Sequence, residues 1–330
     1  MYFNPLRIPL AALFTSLIVT VAVNGFSQTR DPLPSWHDGP NKQAIVDFIS
    51  AATTEGHPDF VAERLRIATF DNDGTLWSEQ PLYFQAVYIF DRIRELAPDN
   101  PEWQNQEPFA SVLKDDYKAA LSGGEQALLE MVKATHAGDT ATQFADSVVM
   151  WLASARHPVS GKPYTEMVFQ PMLELLDFLR ANQFKVFIVS GGGIDFMRVF
   201  AEEVYKIPPE QVIGSSLTAS YEIRNDVPVI VKQPEIDFIN DKAGKPVGIH
   251  RSIGRRPVIA VGNSDGDFEM LEWTSSGEGP RLAMIVHHDE DQRERAYDRD
   301  SHIGRLVRGL DEGPRRGWKI ISMKKDWKLI

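Results

Sequence analysis

The chain has 330 residues, 43% of them hydrophobic and 25% charged, and its formal net charge is -11. This length allows one large domain with an insertion, or two domains, and the composition is ordinary for a globular protein. The acidic balance argues against a nucleic-acid binder, because such proteins usually carry a basic patch. The absence of cysteine excludes disulfides, thiolate zinc sites and cysteine nucleophiles.

The N-terminal segment has the pattern of a secretory signal peptide. Arg7 precedes an apolar run from Ile8 to Val23, and small and polar residues follow it. An apolar run of about 15 residues behind a positive charge is typical of such a leader, and it is short for a membrane span, which needs about 20 residues. An uncleaved N-terminal anchor is the alternative. We expect residues 1–28 to be the signal peptide, the rest to be exported to the periplasm or secreted, and no stable membrane partner beyond that possible anchor.

The segment after the leader predicts a strand framed by helices. Residues 29–40 are rich in Pro, Gly and Asp and predict a linker, and residues 41–55 have helical spacing. A short apolar strand over 65–70 ends abruptly in a polar loop. Residues 82–158 are helical in pattern and poor in strand signals, which indicates a separate helical insertion.

From Pro171 onward, helices and strands alternate again. The predicted elements are a helix over 172–179, a strand over 185–189, a helix over 194–205, strands over 211–218 and 227–231, and strands over 258–261 and 282–286. Short apolar strands separated by helices predict a parallel sheet covered on both faces. We therefore predict an α/β core made of residues 29–81 and 159–330, with residues 82–158 inserted into it.

Three of the predicted strands end in polar loops. These are Asp71-Asn72-Asp73-Gly74-Thr75, Ser190-Gly191-Gly192-Gly193, and the segment from Gly262 to Asp267. Because the carboxyl ends of parallel strands lie on one edge of a sheet, the loops bring carboxylates, a hydroxyl and open backbone amides to one place. Neighbouring carboxylates repel unless a cation lies between them or one is protonated. Oxygen ligands of this kind suit Mg²⁺.

Each residue type in these loops has a chemical use. Asp71 can attack a phosphorus atom and form an aspartyl-phosphate. Asp73 can protonate the leaving oxygen and later activate water. Ser190 and the glycine amides, together with the start of a helix near Ile194, can hold phosphoryl oxygens, and a lysine can neutralise the remaining charge.

The motifs resemble those of the haloacid dehalogenase superfamily. Phe70 to Leu76 resembles the first motif, Val189-Ser190-Gly191-Gly192 the second, Lys245-Pro246 the third and Gly262 to Leu271 the fourth. The likeness covers roughly residues 65–310, in matching order and spacing. The chain resembles in particular the phosphoserine phosphatase-like branch, in which a helical cap follows the first motif. The resemblance implies a Rossmann-like core and makes residues 82–158 the cap.

The resemblance also implies the roles of individual residues. Asp71 would be the nucleophile and a magnesium ligand, and Asp73 the general acid/base that gives the metal its backbone carbonyl. Ser190, Gly191 and Lys245 would hold the phosphoryl group. We prefer that lysine to its neighbour at position 242 because the following proline would start a helix.

The fourth motif departs from the family pattern. It usually begins Gly-Asp, and that Asp ligates the metal, whereas this chain has Asn263 there. An amide oxygen can bind Mg²⁺ but removes one negative charge, which Asp265 would restore through a water. Asp267 would lie at the metal or behind it. Trp77 and Glu79, just past the nucleophile loop, are candidates for the wall of the substrate pocket.

These residues predict a Mg²⁺-dependent phosphatase that acts on a small phosphorylated metabolite through an aspartyl-phosphate. A carbon–halogen hydrolase needs no acid two residues after its nucleophile, so Asp73 argues against that activity. A phosphomutase would keep Asp73. A catalytically silent protein that binds a phosphorylated ligand also stays open, because Asn263 weakens the expected metal site.

Overall fold

A seven-stranded sheet forms the centre of the computed structural model, which describes residues 31–330. Its strands are β1 (Ile67–Phe70), β2 (Lys185–Gly193), β3 (Val212–Arg224), β4 (Val227–Phe238), β5 (Ile259–Gly262), β6 (Leu282–His287) and β7 (Lys319–Ser322). They lie in the order β4-β3-β2-β1-β5-β6-β7. Every pairing is parallel except that of β4 with β3. The predicted parallel α/β sheet is confirmed.

Thirteen helices accompany the sheet in this part of the chain. They are α1 (Pro40–Thr53), α2 (Phe84–Leu96), α3 (Phe109–Leu113), α4 (Tyr117–Ala120), α5 (Gly124–His136), α6 (Ala141–Ser154), α7 (Gln170–Ala181), α8 (Ile194–Arg198), α9 (Ala201–Tyr205), α10 (Gly244–Ile253), α11 (Phe268–Ser275), α12 (Arg308–Glu312) and α13 (Met323–Asp326). Between residues 31 and 330, none of the helices is long and apolar enough to cross a membrane. The predicted signal peptide, residues 1–28, lies outside the described residues.

The central strands are buried because they are apolar on both faces. All four residues of β1 are buried, and so are all four of β5. Strands covered on both sides by helices read as continuous apolar runs, which is why the sequence reveals them. β1 lies between β2 and β5, with Phe70 level with Ile188 and Val261. The first polar residues after these three strands therefore meet at one edge of the sheet.

The segment predicted as a helical insertion contains α2 to α6. The start of α6 shows why such helices form here, because Thr140 and Gln143 make a capping box with bonds of 3.1 and 2.9 Å. The core and cap boundaries at residues 29–81, 82–158 and 159–330 stay a prediction. The β3–β4 hairpin, which belongs to the predicted core, nevertheless contacts the predicted insertion.

That hairpin is formed by β3 and β4, which extend past the predicted ends at residues 218 and 231. Asn225 and Asp226 both have positive φ, 51° and 62°, as a two-residue type I′ turn requires. Lys232 in β4 donates its backbone N–H to the Asp139 carbonyl at 2.9 Å and accepts one from Gly138 at 2.9 Å. The hairpin thus closes one side of the space beneath the helices.

Two other elements differ from the prediction. The helix predicted over 194–205 is two short helices, interrupted at Val199 and Phe200. β7 was not predicted, because its four residues give too short an apolar signal, and it extends the sheet through parallel pairing with β6. After β7, Trp327 packs edge-on against Trp36 with ring centroids 5.9 Å apart, which joins the two ends of the described chain.

Candidate active site

Asp71 lies at the carboxyl edge of the sheet, directly after β1. Its backbone N–H donates to the Val261 carbonyl at 2.9 Å, so sheet-type bonding continues one residue past the strand. The Lys245 ammonium donates to Asp71 Oδ1 at 2.7 Å and to Asp267 Oδ1 at 2.5 Å. All three side chains are buried. The two carboxylates therefore share one cation, and Lys245 rather than the exposed Lys242 is the lysine beside the nucleophile position.

Asp73 faces the same edge and is fixed by two donors. The Trp77 indole N–H donates to Asp73 Oδ1 at 2.8 Å, and Ser190 Oγ lies 3.5 Å from Asp73 Oδ2. Burial raises the pKa of Asp73, and the hydrogen bond from Trp77 opposes this rise. A carboxyl group with a raised pKa suits a general acid, because it can carry a proton near neutral pH.

The turn after Asp73 requires glycine. Gly74 has φ of 73°, and a Cβ there would lie 2.0 Å from Asn263 Nδ2 and 2.4 Å from Glu79 Oε1. His288 also fixes the turn, because its Nε2–H donates a hydrogen bond to the Gly74 carbonyl at 2.7 Å. Burial lowers the pKa of His288 to about 4. The first motif is therefore held closely against the fourth.

Glu79 and Asn263 are paired behind this turn. Asn263 Nδ2 donates to Glu79 Oε1 at 2.7 Å, and the Tyr297 hydroxyl donates to the same oxygen at 2.7 Å. Thr75 Oγ1 donates to Asn263 Oδ1 at 3.1 Å. Both paired side chains are buried. The uncharged Asn263 of the fourth motif thus contacts a carboxyl group that lies just past the first motif.

Asp267 organises the fourth motif, whereas Asp265 is turned away from it. Asp267 Oδ2 accepts the backbone N–H groups of Asn263 and Ser264 at 2.9 and 3.0 Å. The Asp265 carboxylate accepts three backbone N–H groups from residues 307 to 309, at 2.9 to 3.1 Å. It is therefore engaged at the start of α12. The expectation that Asp265 compensates for Asn263 is not met by this arrangement.

The cluster carries more negative than positive charge. The Lys245 ammonium contacts the carboxyl groups of Asp71 and Asp267, and those of Asp73 and Glu79 line the same cavity. Burial and the neighbouring Asp267 raise the pKa of Asp71 to about 8 despite Lys245, and burial raises the pKa of Glu79 well above its ordinary value. Burial alone would lower the pKa of Lys245, but Asp267 and Asp71 reverse this and raise it. Such a cluster requires either bound protons or a further cation.

The donor set fits a hard divalent cation. Across residues 31–330, no three Asp, Glu, His or Cys side chains are grouped as a ready metal site. The available oxygens are mixed in kind: the Asp71 carboxylate, the Asp73 backbone carbonyl and the Asn263 amide. Mg²⁺ binds such oxygens, usually with only one or two carboxylates and several waters. The excess charge and these donors together fit the ion that the sequence predicts.

The second motif offers a hydroxyl and open amides. β2 continues through Gly193, so the predicted loop is strand-like. Ser190 Oγ accepts the Gly192 N–H at 3.1 Å, while Gly193 N–H is already taken by Gln85 Oε1 at 2.7 Å. Ser190 and Gly191 therefore remain the residues of this loop that can meet a phosphoryl group.

A cavity of about 400 Å³ opens above these residues. Of the predicted site residues it is lined by Asp71, Asp73, Glu79, Ser190, Gly191 and Lys245. Asn263 and Asp267 are buried behind that wall and contact it through Glu79 and Lys245. Trp77 lies outside the cavity wall, stacked on Phe200 at 4.4 Å. Trp77 was predicted to line the pocket, but in the structure it holds Asp73 through the hydrogen bond from its indole N–H.

Sequence reasoning missed Tyr297 and the role of His288. Both meet the first motif from more than 200 positions away in the chain, Tyr297 at Glu79 and His288 at Gly74. Their rings also stack on each other at 4.3 Å. The only signal in the sequence was that His288 closely follows a predicted strand, which is too general to indicate a partner.

Comparison with known proteins places the chain among hydrolases of one family. The family described as haloacid dehalogenase-like hydrolase matches residues 68–272. Comparison with curated proteins gives no match. Solved structures with a similar fold include a protein of unknown function from Bordetella pertussis Tohama I, 16% identical over 78% of this chain and 97% of that chain, with a TM-score of 0.47.

Two further similar structures have phosphatase descriptions. One is a phosphoserine phosphohydrolase-like protein from Francisella tularensis, 16% identical over 76% of this chain and 98% of that chain, with a TM-score of 0.39. The other is a probable phosphoserine phosphatase from Vibrio cholerae, 16% identical over 72% of this chain and 61% of that chain, with a TM-score of 0.38.

Proposed function

Because the chain belongs to the haloacid dehalogenase-like hydrolase family, we propose that it is a magnesium-dependent phosphatase of small phosphomonoesters. The observation that carries this proposal is the grouping of Asp71, Asp73, Ser190 and Lys245 around one cavity. It supplies a nucleophile, an acid, a phosphoryl-binding hydroxyl and a fixed cation in one place. Phosphoryl transfer depends mainly on such positioning and charge stabilisation.

The first chemical step is transfer of the phosphoryl group to Asp71. A carboxylate oxygen of Asp71 forms a bond to phosphorus while the bond from phosphorus to the leaving oxygen breaks. Asp73 gives its proton to that oxygen, so that the alcohol leaves neutral. Lys245 neutralises charge next to the nucleophile, at 2.7 Å.

The second step is hydrolysis of the aspartyl-phosphate. Asp73, now ionised, removes a proton from water, whose oxygen attacks phosphorus. The bond to Asp71 breaks, inorganic phosphate leaves, and Asp73 is protonated again. Since the Trp77 and Ser190 donors hold Asp73 in one orientation, the same carboxyl group serves both steps.

The cation would be held by the Asp71 carboxylate, the Asp73 backbone carbonyl and the Asn263 amide oxygen. When bound, Mg²⁺ supplies positive charge to the phosphoryl oxygens. Glu79 stands next to Asn263; a bound cation would favour its ionised form, which would restore the negative charge that the amide lacks. Asp267 keeps its place by binding Lys245 and two backbone N–H groups.

Phosphate release separates this proposal from its rivals. We expect the full chain to release phosphate from p-nitrophenyl phosphate with Mg²⁺, to stop with chelator, and to stop in Asp71→Asn. A catalytically silent phospho-ligand binder would release none under any condition. A phosphomutase would instead convert a sugar phosphate into its positional isomer, without net release of phosphate.

The phosphoserine phosphatase-like branch and export are further parts of the proposal. Export is supported by Arg7 and the apolar run behind it, and the net charge of -11 supports a small phosphorylated substrate rather than nucleic acid. Cell fractionation with N-terminal sequencing tests this. A mature protein in the cytoplasmic fraction that still begins at Met1 would contradict it.

A further inference from the structure

The part of the cavity beyond the reacting residues is walled mainly by apolar side chains. They come from α2, α5, α6 and the β3–β4 hairpin: Ile89, Leu128, Val132, Phe144, Ile236 and Phe238. The whole cavity has a volume of about 400 Å³, and its wall also carries polar side chains, among them Gln85, Asp195, Ser216 and Lys232. A concave site that combines apolar walls with placed polar groups is typical of a site for a small organic ligand. The leaving group of a substrate would occupy this space when its phosphoryl group lies at Asp71.

One polar side chain in this wall is incompletely paired. His136, the last residue of α5, is 4% exposed and packs on Phe144 with ring centroids 4.5 Å apart. Its Nε2 is buried and has no hydrogen-bond partner among residues 31–330. Among the described side chains that line the cavity, it alone has such a buried, unpaired polar atom. An unpaired buried polar atom is unfavourable, and a bound ligand that pairs with it removes this cost.

The hydrogen bonds around His136 assign its Nε2 as an acceptor. Thr135 Oγ1 lies 2.8 Å from the Met131 carbonyl, which can only accept, so the hydroxyl donates there. The same oxygen lies 2.7 Å from His136 Nδ1 and must accept from it. Burial, followed by the nearby Lys232 and Arg92 cations, lowers the pKa of His136 to about 3. The ring is therefore neutral, with its proton on Nδ1.

The charged groups in this wall are already paired with each other. The Lys232 ammonium donates to the Asp195 carboxylate and lies 4.8 Å from the centre of the Phe144 ring. Lys232 is almost fully buried. A neutral leaving group would leave this pair intact.

We propose that the cavity takes phosphomonoesters whose leaving group is an apolar ring system with one hydroxyl or N–H donor, which binds His136 Nε2. This inference rests on the proposed phosphatase activity. It assigns specificity to a residue of the helical insertion, whereas the reaction itself is assigned to the core. It also makes phosphoserine a poor substrate.

A matched pair of substrates tests the proposal. We expect the full chain to hydrolyse 6-hydroxy-2-naphthyl phosphate with about tenfold higher kcat/KM than 2-naphthyl phosphate, and both better than phosphoserine. In His136→Phe, which keeps a ring but loses the acceptor, the ratio for the two naphthyl esters falls to about one. His136→Gln, which retains an acceptor oxygen, restores part of the preference. His57→Phe, at an exposed histidine, keeps the tenfold ratio.

Two results would overturn the inference while leaving phosphatase activity intact. One is an unchanged ratio in His136→Phe, and the other is faster hydrolysis of phosphoserine than of both naphthyl esters. If no ester is hydrolysed, the proposed function fails. The inference about His136 is then tested separately, by measuring the binding of the alcohols alone. Calorimetry then compares 2,6-dihydroxynaphthalene with 2-naphthol. Tighter binding of the diol that is lost in His136→Phe supports the site, and equal binding in both proteins contradicts it.

Discussion

Asn263 Nδ2 donates a hydrogen bond to Glu79 Oε1 across 2.7 Å, and this bond joins the fourth motif to the first. The fourth motif has an amide at position 263, where the family resemblance predicts a carboxylate, and a carboxyl group from another segment touches that position instead. The same Glu79 oxygen also accepts from Tyr297. We infer that Glu79 and Asn263 act together as one charged element of the cation site.

The first prediction concerns the charge of Glu79. Glu79→Gln keeps the size of the side chain and an oxygen that can accept from Asn263 and Tyr297, but it removes the negative charge. We expect the Kd for Mg²⁺ to rise about tenfold, since cation affinity depends on the number of charged ligands. Isothermal titration of the phosphate-free protein measures this directly. Glu102→Gln, at an exposed position, is the control, and equal affinity in the two variants would contradict the role of Glu79.

The second prediction concerns the reverse substitution at position 263. Asn263→Asp places a second carboxylate next to Glu79, so we expect a lower melting temperature in chelator because like charges repel in a buried site. Mg²⁺ should relieve this repulsion and raise the melting temperature more than in the unaltered chain. Thermal unfolding with and without Mg²⁺ measures both effects. A smaller Mg²⁺-induced rise than in the unaltered chain would show that position 263 does not face the cation.

The strands and the three motif loops could be predicted from the sequence because their signals are local. β1 and β5 are short apolar runs, and each is followed at once by polar residues at the sheet edge. Asp71 and Asp73 directly follow β1 and Ser190 lies near the end of the adjacent β2, so the sheet topology brings these three together, and Lys245 joins them from the first turn of α10. Local pattern and tertiary position agree in these segments, as expected for a foldable sequence.

The remaining parts of the site depend on contacts between distant segments. Tyr297 approaches Glu79 from a loop 218 positions away, and no periodicity in that loop indicates it. The β3–β4 hairpin was underestimated because the missed residues, 219–224 and 232–238, mix polar and apolar side chains, and only Lys232 among them is buried. Trp77 was expected in the pocket, but large aromatic side chains are commonly core residues, and its position beside Asp73 is set by packing on Phe200.

The third prediction is that the stability of the metal-free protein falls as pH rises from 6 to 8. The pKa of Asp71 is raised from its ordinary value of 3.8 to about 8 in the folded state, so the folded state binds more protons than the unfolded state in this range. Stability then decreases with rising pH by linkage. Urea unfolding in chelator at several pH values measures the trend.

Two controls belong to that pH experiment. Asp71→Asn removes one titrating group and should reduce the slope of the profile between pH 6 and 8, while the raised pKa of Glu79 leaves a smaller slope. Mg²⁺ binds the ionised carboxylate, so its stabilising effect should be larger at pH 8 than at pH 6. A metal-free protein that becomes more stable over this range would contradict the assignment of the raised pKa.

The last prediction concerns how Trp77 holds the general acid. Its indole N–H donates to Asp73 Oδ1 at 2.8 Å and opposes the rise in the pKa of Asp73 that burial causes. Trp77→Phe keeps a ring against Phe200 but removes this donor, so the pKa of Asp73 should rise further. We expect kcat for 2-naphthyl phosphate to fall about tenfold and the alkaline limb of its pH profile, which reports loss of the Asp73 proton, to move to higher pH. Trp273→Phe, outside the site, should leave the profile in place. If kcat falls without any movement of the profile, Trp77 acts by packing alone, and Asp73 takes its protonation behaviour from burial and Ser190.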